Sequence, residues 1–492
     1  MNLCCIGHNF QYEMEKLCRI FLPFEKIQIC ENIIDSENVA VTKLDGNNIY
    51  ASLFINKRFV EYSAVISDDF DNREAERELA ALLYKCFTNI TSYSPKWGIV
   101  TGIRPARLYS AVVNELGDEN KAKKFFKEKF YVSDEKISLC EETHKGETKI
   151  IKLSEKDSFS LYVSIPFCPS RCSYCSFVSH AVEKAKSLIP EYIEYLCKEI
   201  EETAAIAKLN NLKLKTVYIG GGTPTTLDEN QLKRVLKLIV KSFDFTDLLE
   251  FTVEAGRPDT ITEHKLKVLK DFGVTRISIN PQTMNDDVLK NIGRSHTSKQ
   301  TIEAFNLARK VGFDNINMDL IAGLPSESFQ SFEDTIEQIL KLDPESITVH
   351  ALSMKRSSKM NMSGDFPEIQ AGKIADEMVN YARNIFTKNK ILPYYMYRQS
   401  KTVGNLENVG YAKIGKECLY NVFIMDETHT IIACGASAVT KLREPCGNYI
   451  ERIFNFKYPY EYLNRFEELM LRKNGINDFY KKYPINRVNT NV

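Results

Sequence analysis

Apolar positions change their period along this chain, and the changes divide it. Over residues 40–44, 49–55 and 59–66, Val, Ile, Tyr and Phe gather in short runs broken by Asp45-Gly46-Asn47-Asn48 and Asn56-Lys57-Arg58. Such runs between turn-forming residues predict strands joined by hairpins, so residues 1 to about 70 read as strand-rich. From 72 to about 91 the period becomes helical, with Leu79, Leu82, Leu83 and Cys86 on one face. Residues 98–107 hold two Gly and a Pro and read as a loop. Two or three Lys- and Glu-heavy helices follow over 105–145.

From about 158 strands and helices alternate. Strands are expected over 161–166, 216–220, 250–254, 275–279, 315–320 and 346–350. Leu232, Val235, Leu236 and Ile239 follow the i, i+3, i+4, i+7 helical pattern. Ser298 is the expected cap of a helix ending at Gly312, and a helix over 329–342 stops at Asp343-Pro344. Six strands separated by helices imply a parallel sheet, and six is short of a closed eight-stranded barrel. The expected fold is α/β: a partial (β/α)6 barrel over 156–395, an N-terminal α+β accessory domain over 1–155, and a C-terminal extension over 396–492. In that extension, 408–411 and 432–438 contain Gly and are expected to close over the barrel rim. The tail beyond Tyr458 carries an apolar helical face of Phe454, Tyr462, Phe466 and Leu469.

In open parallel sheets, ligands bind at the carboxyl ends of strands, and the chemistry-bearing residues fall there. Cys168, Cys172 and Cys175 follow the first strand at C-x3-C-x2-C spacing. Three thiolates suit a [4Fe–4S] cluster with one iron left open, since a cluster held wholly by protein takes four Cys. The same spacing also admits a zinc site with His180 or a distant Cys as fourth ligand, and spacing alone favours the cluster only modestly. Gly220-Gly221-Gly222-Thr223-Pro224 follows the second strand and offers backbone that a ligand can approach closely. Glu254 ends the third strand, where it can accept hydrogen bonds from ribose hydroxyls. Asn280 and Gln282 follow the fourth, and Asp319 sits near the end of the fifth. His8 and His144 stand alone, and Cys4 and Cys5 lack nearby partners.

At 492 residues, two or three domains are expected, and 43% apolar with 26% charged residues describes a soluble globular chain. Lys+Arg and Asp+Glu balance at 65 each, which argues against bulk attraction to nucleic acid or an anionic membrane. No apolar run reaches membrane-spanning length and no secretory signal is evident, so a cytoplasmic location is expected. There the 13 cysteines should be mostly free thiols.

C-x3-C-x2-C followed by GGGTP resembles the signature of the radical SAM superfamily. Within it, YVSIPFC, GGGTPT, RISINPQTMNDDVLKNIGRSHT and DLIAGLP resemble the oxygen-independent coproporphyrinogen III oxidase family. The appended N-terminal domain, GIRPARL and HALSMKR are similar to its HemZ branch, the coproporphyrinogen dehydrogenases. The resemblance implies that S-adenosylmethionine (SAM) chelates the open iron and is cleaved on reduction to methionine and a 5′-deoxyadenosyl radical. Carried onto this sequence, it assigns Cys168, Cys172 and Cys175 to the cluster. Tyr162, Gly221, Glu254 and Val439 would contact the SAM on that cluster. Tyr174, Gly222, Thr223, Gln282, Arg294, Asp319 and Ala351 match positions around a second SAM.

The implied activity is oxidative decarboxylation of two propionates of coproporphyrinogen III, giving protoporphyrinogen IX in haem biosynthesis. A flavodoxin- or ferredoxin-type protein is the implied electron donor. Lys355, Arg356, Arg398 and Arg294 are candidate cations for the substrate carboxylates. Two positions depart from the family oxidase: Ser164 stands in place of His, and Ser176-Phe177 in place of Gly-Cys. The second departure resembles the haem-chaperone branch of the same family. A haem-binding carrier and a radical SAM methyltransferase acting on haem are therefore the rival readings, with a plain zinc-stabilised α/β protein behind them.

Overall fold

The computed structural model describes residues 1–33, 36–175, 179–353 and 367–485. Ser176, Phe177, Lys355 and Arg356 lie outside the described residues. The chain divides into two compact units, residues 1–144, 351–381 and 396–408, and residues 145–350, 382–395 and 409–492.

The first unit is built on a five-stranded sheet of order β2-β1-β3-β4-β5. Its strands are β1 (Asn2–Ile6), β2 (Gln28–Cys30), β3 (Val39–Asp45), β4 (Asn48–Ile55) and β5 (Arg58–Val65). β1 runs parallel to both its neighbours, and β3, β4 and β5 form an antiparallel meander. The turn between β4 and β5 places Asn56 and Lys57 both at positive φ, as a two-residue hairpin requires. Helices Gln11–Phe21 and Asn72–Thr91 pack on this sheet. Their core joins Leu17, Phe21, Leu53, Leu79, Leu83 and Phe87, with the Phe21 and Phe87 rings stacked at 4.7 Å.

Three features of this unit differ from expectation. Helix Gln11–Phe21 lies within a stretch read only as strand-rich, where Cys4 and Cys5 are buried core residues of β1. The loop expected over 98–107 ends early, because Pro105 opens helix Pro105–Leu116, where its missing N–H costs nothing. Arg398, a candidate for substrate carboxylates, is 4% exposed and donates to the Val100 and Asn405 carbonyls, its guanidinium 5.3 Å from the Trp97 ring centroid. Burial pulls its pKa down to about 10. Beside it, Glu407 accepts from both Trp97 Nε1 and Lys136 Nζ at 2.7 Å. Arg398 is therefore a packing group of this unit.

The second unit holds the strand/helix alternation. β6 (Ser158–Ile165), β7 (Phe167–Cys168), β8 (His180–Ala181), β9 (Lys213–Gly221), β10 (Glu250–Glu254), β11 (Arg276–Ser278), β12 (Ile316–Ala322) and β13 (Ser346–Ala351) follow in chain order. β16 (Thr430–Cys434), β17 (Val439–Arg443) and β18 (Ile450–Phe454) complete the set, while β14 (Leu392–Arg398) and β15 (Glu407–Ala412) have residues in both units. The main sheet has eleven strands in the order β14-β15-β13-β12-β11-β10-β9-β6-β16-β17-β18, open at both edges. All six expected strands are present in it as β6 and β9–β13, and β6, β9, β10, β11 and β12 pair parallel in succession. The α/β partial barrel is thus the fold, with five further strands drawn from residues beyond 391.

Those added strands correct the reading of the extension. Residues 430–434 form a fully buried strand parallel to β6, and only the loop after it reaches the rim. Phe454 belongs to strand β18 and is 58% exposed, whereas Tyr462, Phe466 and Leu469 are buried on helices Pro459–Asn464 and Phe466–Lys473. One cap also shifts. Thr297, not Ser298, closes a capping box with Gln300 on helix Ser298–Val311, which Gly312 ends at φ +100°. No helix among the described residues is long and apolar enough to cross a membrane.

Candidate functional site

Each barrel strand alternates. Leu161, Val163, Val217, Ile219, Val253 and Ile277 are buried, apolar and on one face. The opposite face is polar throughout. Its rows follow from the register, with Tyr162 beside Tyr218, Tyr218 beside Thr252, and Thr252 beside Arg276. One step towards the carboxyl ends, Ser164 pairs with Gly220, Glu254 with Ser278, and Ser278 with Asn317. Hydrogen bonds stitch this face together: Asn317 Nδ2 donates to Ser278 Oγ at 2.8 Å and to Asp319 Oδ1 at 2.7 Å. Arg276 donates to Ser346 Oγ at 3.0 Å. Buried polar groups are tolerated only with such partners, and here they form the floor beneath the rim.

The glycine run meets the cysteine loop at the end of β9. Gly222 N–H donates to the Ile165 carbonyl at 2.8 Å, and Thr223 N–H to the Phe167 carbonyl at 2.7 Å. The Thr223 hydroxyl donates to Cys168 Sγ at 3.5 Å. A Cβ on Gly222 would fall 2.6 Å from Phe167 O and 2.8 Å from Ile165 O, and Gly221 adopts φ +105°. Gly222→Ala is expected to cost about 2 kcal/mol, because only backbone can yield. The check is a lower urea midpoint than that of the parent protein.

Cys168, Cys172 and Cys175 are partly exposed, whereas nine of the other ten cysteines are buried, Cys446 being exposed. Cys175 N–H bonds the Cys172 carbonyl at 3.2 Å, which curls the three onto one short turn. Three soft thiol donors on one exposed turn suit an iron–sulfur cluster. Among the described residues no three His, Cys, Asp or Glu side chains converge at metal-binding geometry, so the turn gathers the donors without closing them on a point. Ligation would supply that closure. His180, the alternative zinc ligand, lies in β8 opposite Phe167, its ring edge-on to Tyr458 at 6.2 Å, and joins no such group.

Glu254 takes the central place on the rim. Tyr218 Oη donates to its Oε1 at 2.7 Å, and a Cβ on Gly220 would approach that oxygen to 3.0 Å. Burial raises the Glu254 pKa to about 7; hydrogen bonds from Tyr218 and the Gly221 backbone oppose the rise, and the Asp319 carboxylate adds to it. Burial pushes the Asp319 carboxyl up as well, but His350, Asn317 and Thr348 outweigh it and hold the group below the usual range. His350 Nε2 stands 3.8 Å from Asp319 Oδ2. Tyr162 stacks with Tyr218 and Tyr420, at 6.3 and 6.1 Å between centroids, and burial raises its pKa.

The remaining residues expected at the site divide. Gln282, at φ +71°, donates its N–H to the Asp319 carbonyl and so prolongs the sheet past β11. Arg294 is committed to protein: Nε and Nη2 donate to Tyr174 Oη at 3.2 and 3.1 Å, and Nη1 to the Asn280 and Gly256 carbonyls. Its guanidinium therefore braces Tyr174, and its donors are not directed at a substrate carboxylate. Val439 opens β17, antiparallel to β16, after the turn at Gly435 that a Cβ would drive into Ser164 O. Ala351 ends β13 in the first unit and donates its N–H to Asn408 Oδ1 at 2.9 Å. Tyr218, Tyr420, Arg257, Arg276 and His350 were not singled out from the sequence.

A family model of the radical SAM superfamily matches residues 162–339. The chain is 37% identical over 414 residues to the oxygen-independent coproporphyrinogen-III oxidase-like protein HemZ of Bacillus subtilis (strain 168), spanning 83% of each. Over 194 residues it is 42% identical to the heme chaperone HemW of the same organism, covering 39% of this chain and 50% of that one. Among solved structures, coproporphyrinogen III oxidase (HemN) from Escherichia coli shares the fold at a TM-score of 0.51 and 20% identity, over 65% of this chain and 72% of that one.

Proposed function

This chain belongs to the radical SAM superfamily and, within it, to the oxygen-independent coproporphyrinogen III oxidase family, and we propose that it oxidatively decarboxylates coproporphyrinogen III to protoporphyrinogen IX. The superfamily carries a [4Fe–4S] cluster and SAM, which when bound supply an adenosyl radical able to take a hydrogen atom from a propionate β-carbon. Loss of CO2 from the resulting substrate radical, with transfer of its remaining electron to an external one-electron acceptor, would leave a vinyl group. One observation carries the reading: the cysteine turn, the glycine run and Glu254 meet at adjoining strand ends, with Thr223 bonded to Cys168.

The protein's task is to bind, orient and exclude water. Cys168, Cys172 and Cys175 would hold the cluster, and Tyr162, Gly221, Glu254 and Val439 the SAM upon it. Tyr174, Gly222, Thr223, Gln282, Arg294 and Asp319 would line a second SAM position, where Tyr174 and Arg294 act as a bonded pair. With Arg294 and Arg398 committed elsewhere, His350, half-buried beside Asp319, offers a hydrogen-bonding contact for a propionate. Electrons would come from a flavodoxin- or ferredoxin-type donor, since the sequence holds one cluster motif. A cytoplasmic setting agrees with thirteen unbridged cysteines.

The test is anaerobic incubation with coproporphyrinogen III, SAM and reductant, followed by porphyrin chromatography. Protoporphyrin is the expected product. The likeness to a heme chaperone favours a second reading, haem carriage. Stoichiometric haem retention without turnover would replace the first reading with that one, and methylated haem would point to a methyltransferase.

A further inference from the structure

The segment after β10 reads Glu254-Ala255-Gly256-Arg257-Pro258-Asp259, and Arg257 is 3% exposed. A buried guanidinium is costly unless its donors are satisfied. Two of them meet Asp259, Nε to Oδ1 at 3.2 Å and Nη2 to Oδ2 at 3.3 Å. Two more cross to the cysteine turn: Nη1 donates to the Ser170 carbonyl at 3.3 Å and Nη2 to Ser170 Oγ at 3.2 Å. Ser170 lies between Cys168 and Cys172, and its own hydroxyl donates to the Gly293 carbonyl at 3.0 Å.

The same turn is held at two further points. Ser173 N–H donates to the Ile292 carbonyl at 3.0 Å, and Arg294 grips Tyr174 Oη. Segment 292–294 and Arg257 thus reach the turn from different strand ends. Arg257 bonds both the backbone and the side chain of Ser170, using the planar fork that Lys lacks. Its neighbour His296 is held neutral, burial pulling its pKa to about 3 with Arg294 and Arg257 adding to the effect. His296, 3.9 Å from Asp259 Oδ1, therefore does not compete as a cation with Arg257.

We infer that Arg257, oriented by Asp259, is a positioning residue that fixes the path of the turn between Cys168 and Cys172, and so the retention and environment of the cluster. This rests on the reading that those cysteines hold a cluster. Outer partners that orient metal ligands are typically worth about 10- to 100-fold in metal affinity.

Arg257→Ala, Arg257→Lys and the parent protein would be compared in two states. In the metal-free state, mass spectrometry would follow alkylation of Cys168 and Cys172 by iodoacetamide. In the reconstituted state, absorbance would follow iron loss to a chelator, and electron paramagnetic resonance would record the reduced cluster. Arg257→Ala should alkylate faster, lose iron about 10-fold faster and shift the resonance spectrum, with Arg257→Lys between it and the parent. Unchanged alkylation, retention and spectrum overturn the inference. If Arg257→Ala melts at lower temperature, Ser170→Ala decides: a smaller change in the same direction supports the clamp, and parental behaviour overturns it. Failure of the cluster reading shows differently, as a parent protein that takes up no iron whatever the alkylation rates.

Discussion

Cys172→Ala protein, exposed anaerobically to iron and sulfide, should stay colourless and leave SAM intact under dithionite, where the parent turns brown and cleaves it. Three cysteines lie on the turn, and a [4Fe–4S] cluster with three protein ligands has none in reserve. Cys172 is partly exposed and outside the apolar core, so its removal should change folding stability by no more than about 0.5 kcal/mol. Near-parental melting with total loss of iron and cleavage separates a ligand from a structural thiol. Retention of parental iron would remove Cys172 from the ligand set.

Glu254→Gln should improve the ligand-free protein and impair it as a SAM binder. The Glu254 pKa rises from 4.5 to about 7, with burial the largest cause. The unfolded chain ionises near 4.5 while the folded chain keeps its proton, so this group's contribution to stability falls as pH rises from 4.5 to about 7 and is level above that. Each pKa unit is about 1.4 kcal/mol, which bounds the recovery in the Gln variant at pH 8 at about 3 kcal/mol; partial exposure at the rim reduces it to about 1–2 kcal/mol. Gln keeps an acceptor for Tyr218 Oη but cannot offer an ionised oxygen to the ribose hydroxyls. A charge-assisted bond exceeds a neutral one by about 1 kcal/mol, so SAM affinity at pH 8 should fall about 5- to 10-fold. Parental affinity should strengthen as pH rises through about 7, and the variant's should stay flat. Melting curves and equilibrium dialysis at pH 6 and pH 8 read both effects.

Five of the six barrel strands are legible because each ends in a residue with no packing reason to be there. Glu254 and the glycine run are of that kind. The polar floor was harder to see. Parallel strands buried on both faces usually read as continuous apolar runs, so Tyr162, Tyr218, Thr252 and Arg276 look like interruptions until register sets them in one row. The signal available was strict alternation, plain in Phe159-Ser160-Leu161-Tyr162-Val163-Ser164-Ile165. Helix Gln11–Phe21 was legible too, its buried Met14, Leu17, Cys18 and Phe21 lying at i, i+3, i+4 and i+7. β16 was obscured by the glycine after it, which marks the turn and not the strand. The reach of Arg257 to the cysteine turn left no local trace, because Ser170 lies 87 residues earlier and no periodicity joins them.

The most direct measurement is metal analysis of the anaerobically reconstituted protein, combined with quantification of 5′-deoxyadenosine after addition of dithionite and SAM. About four irons per chain, with 5′-deoxyadenosine formed, is the result expected of a cluster on Cys168, Cys172 and Cys175. One zinc per chain with no iron and no 5′-deoxyadenosine would contradict it.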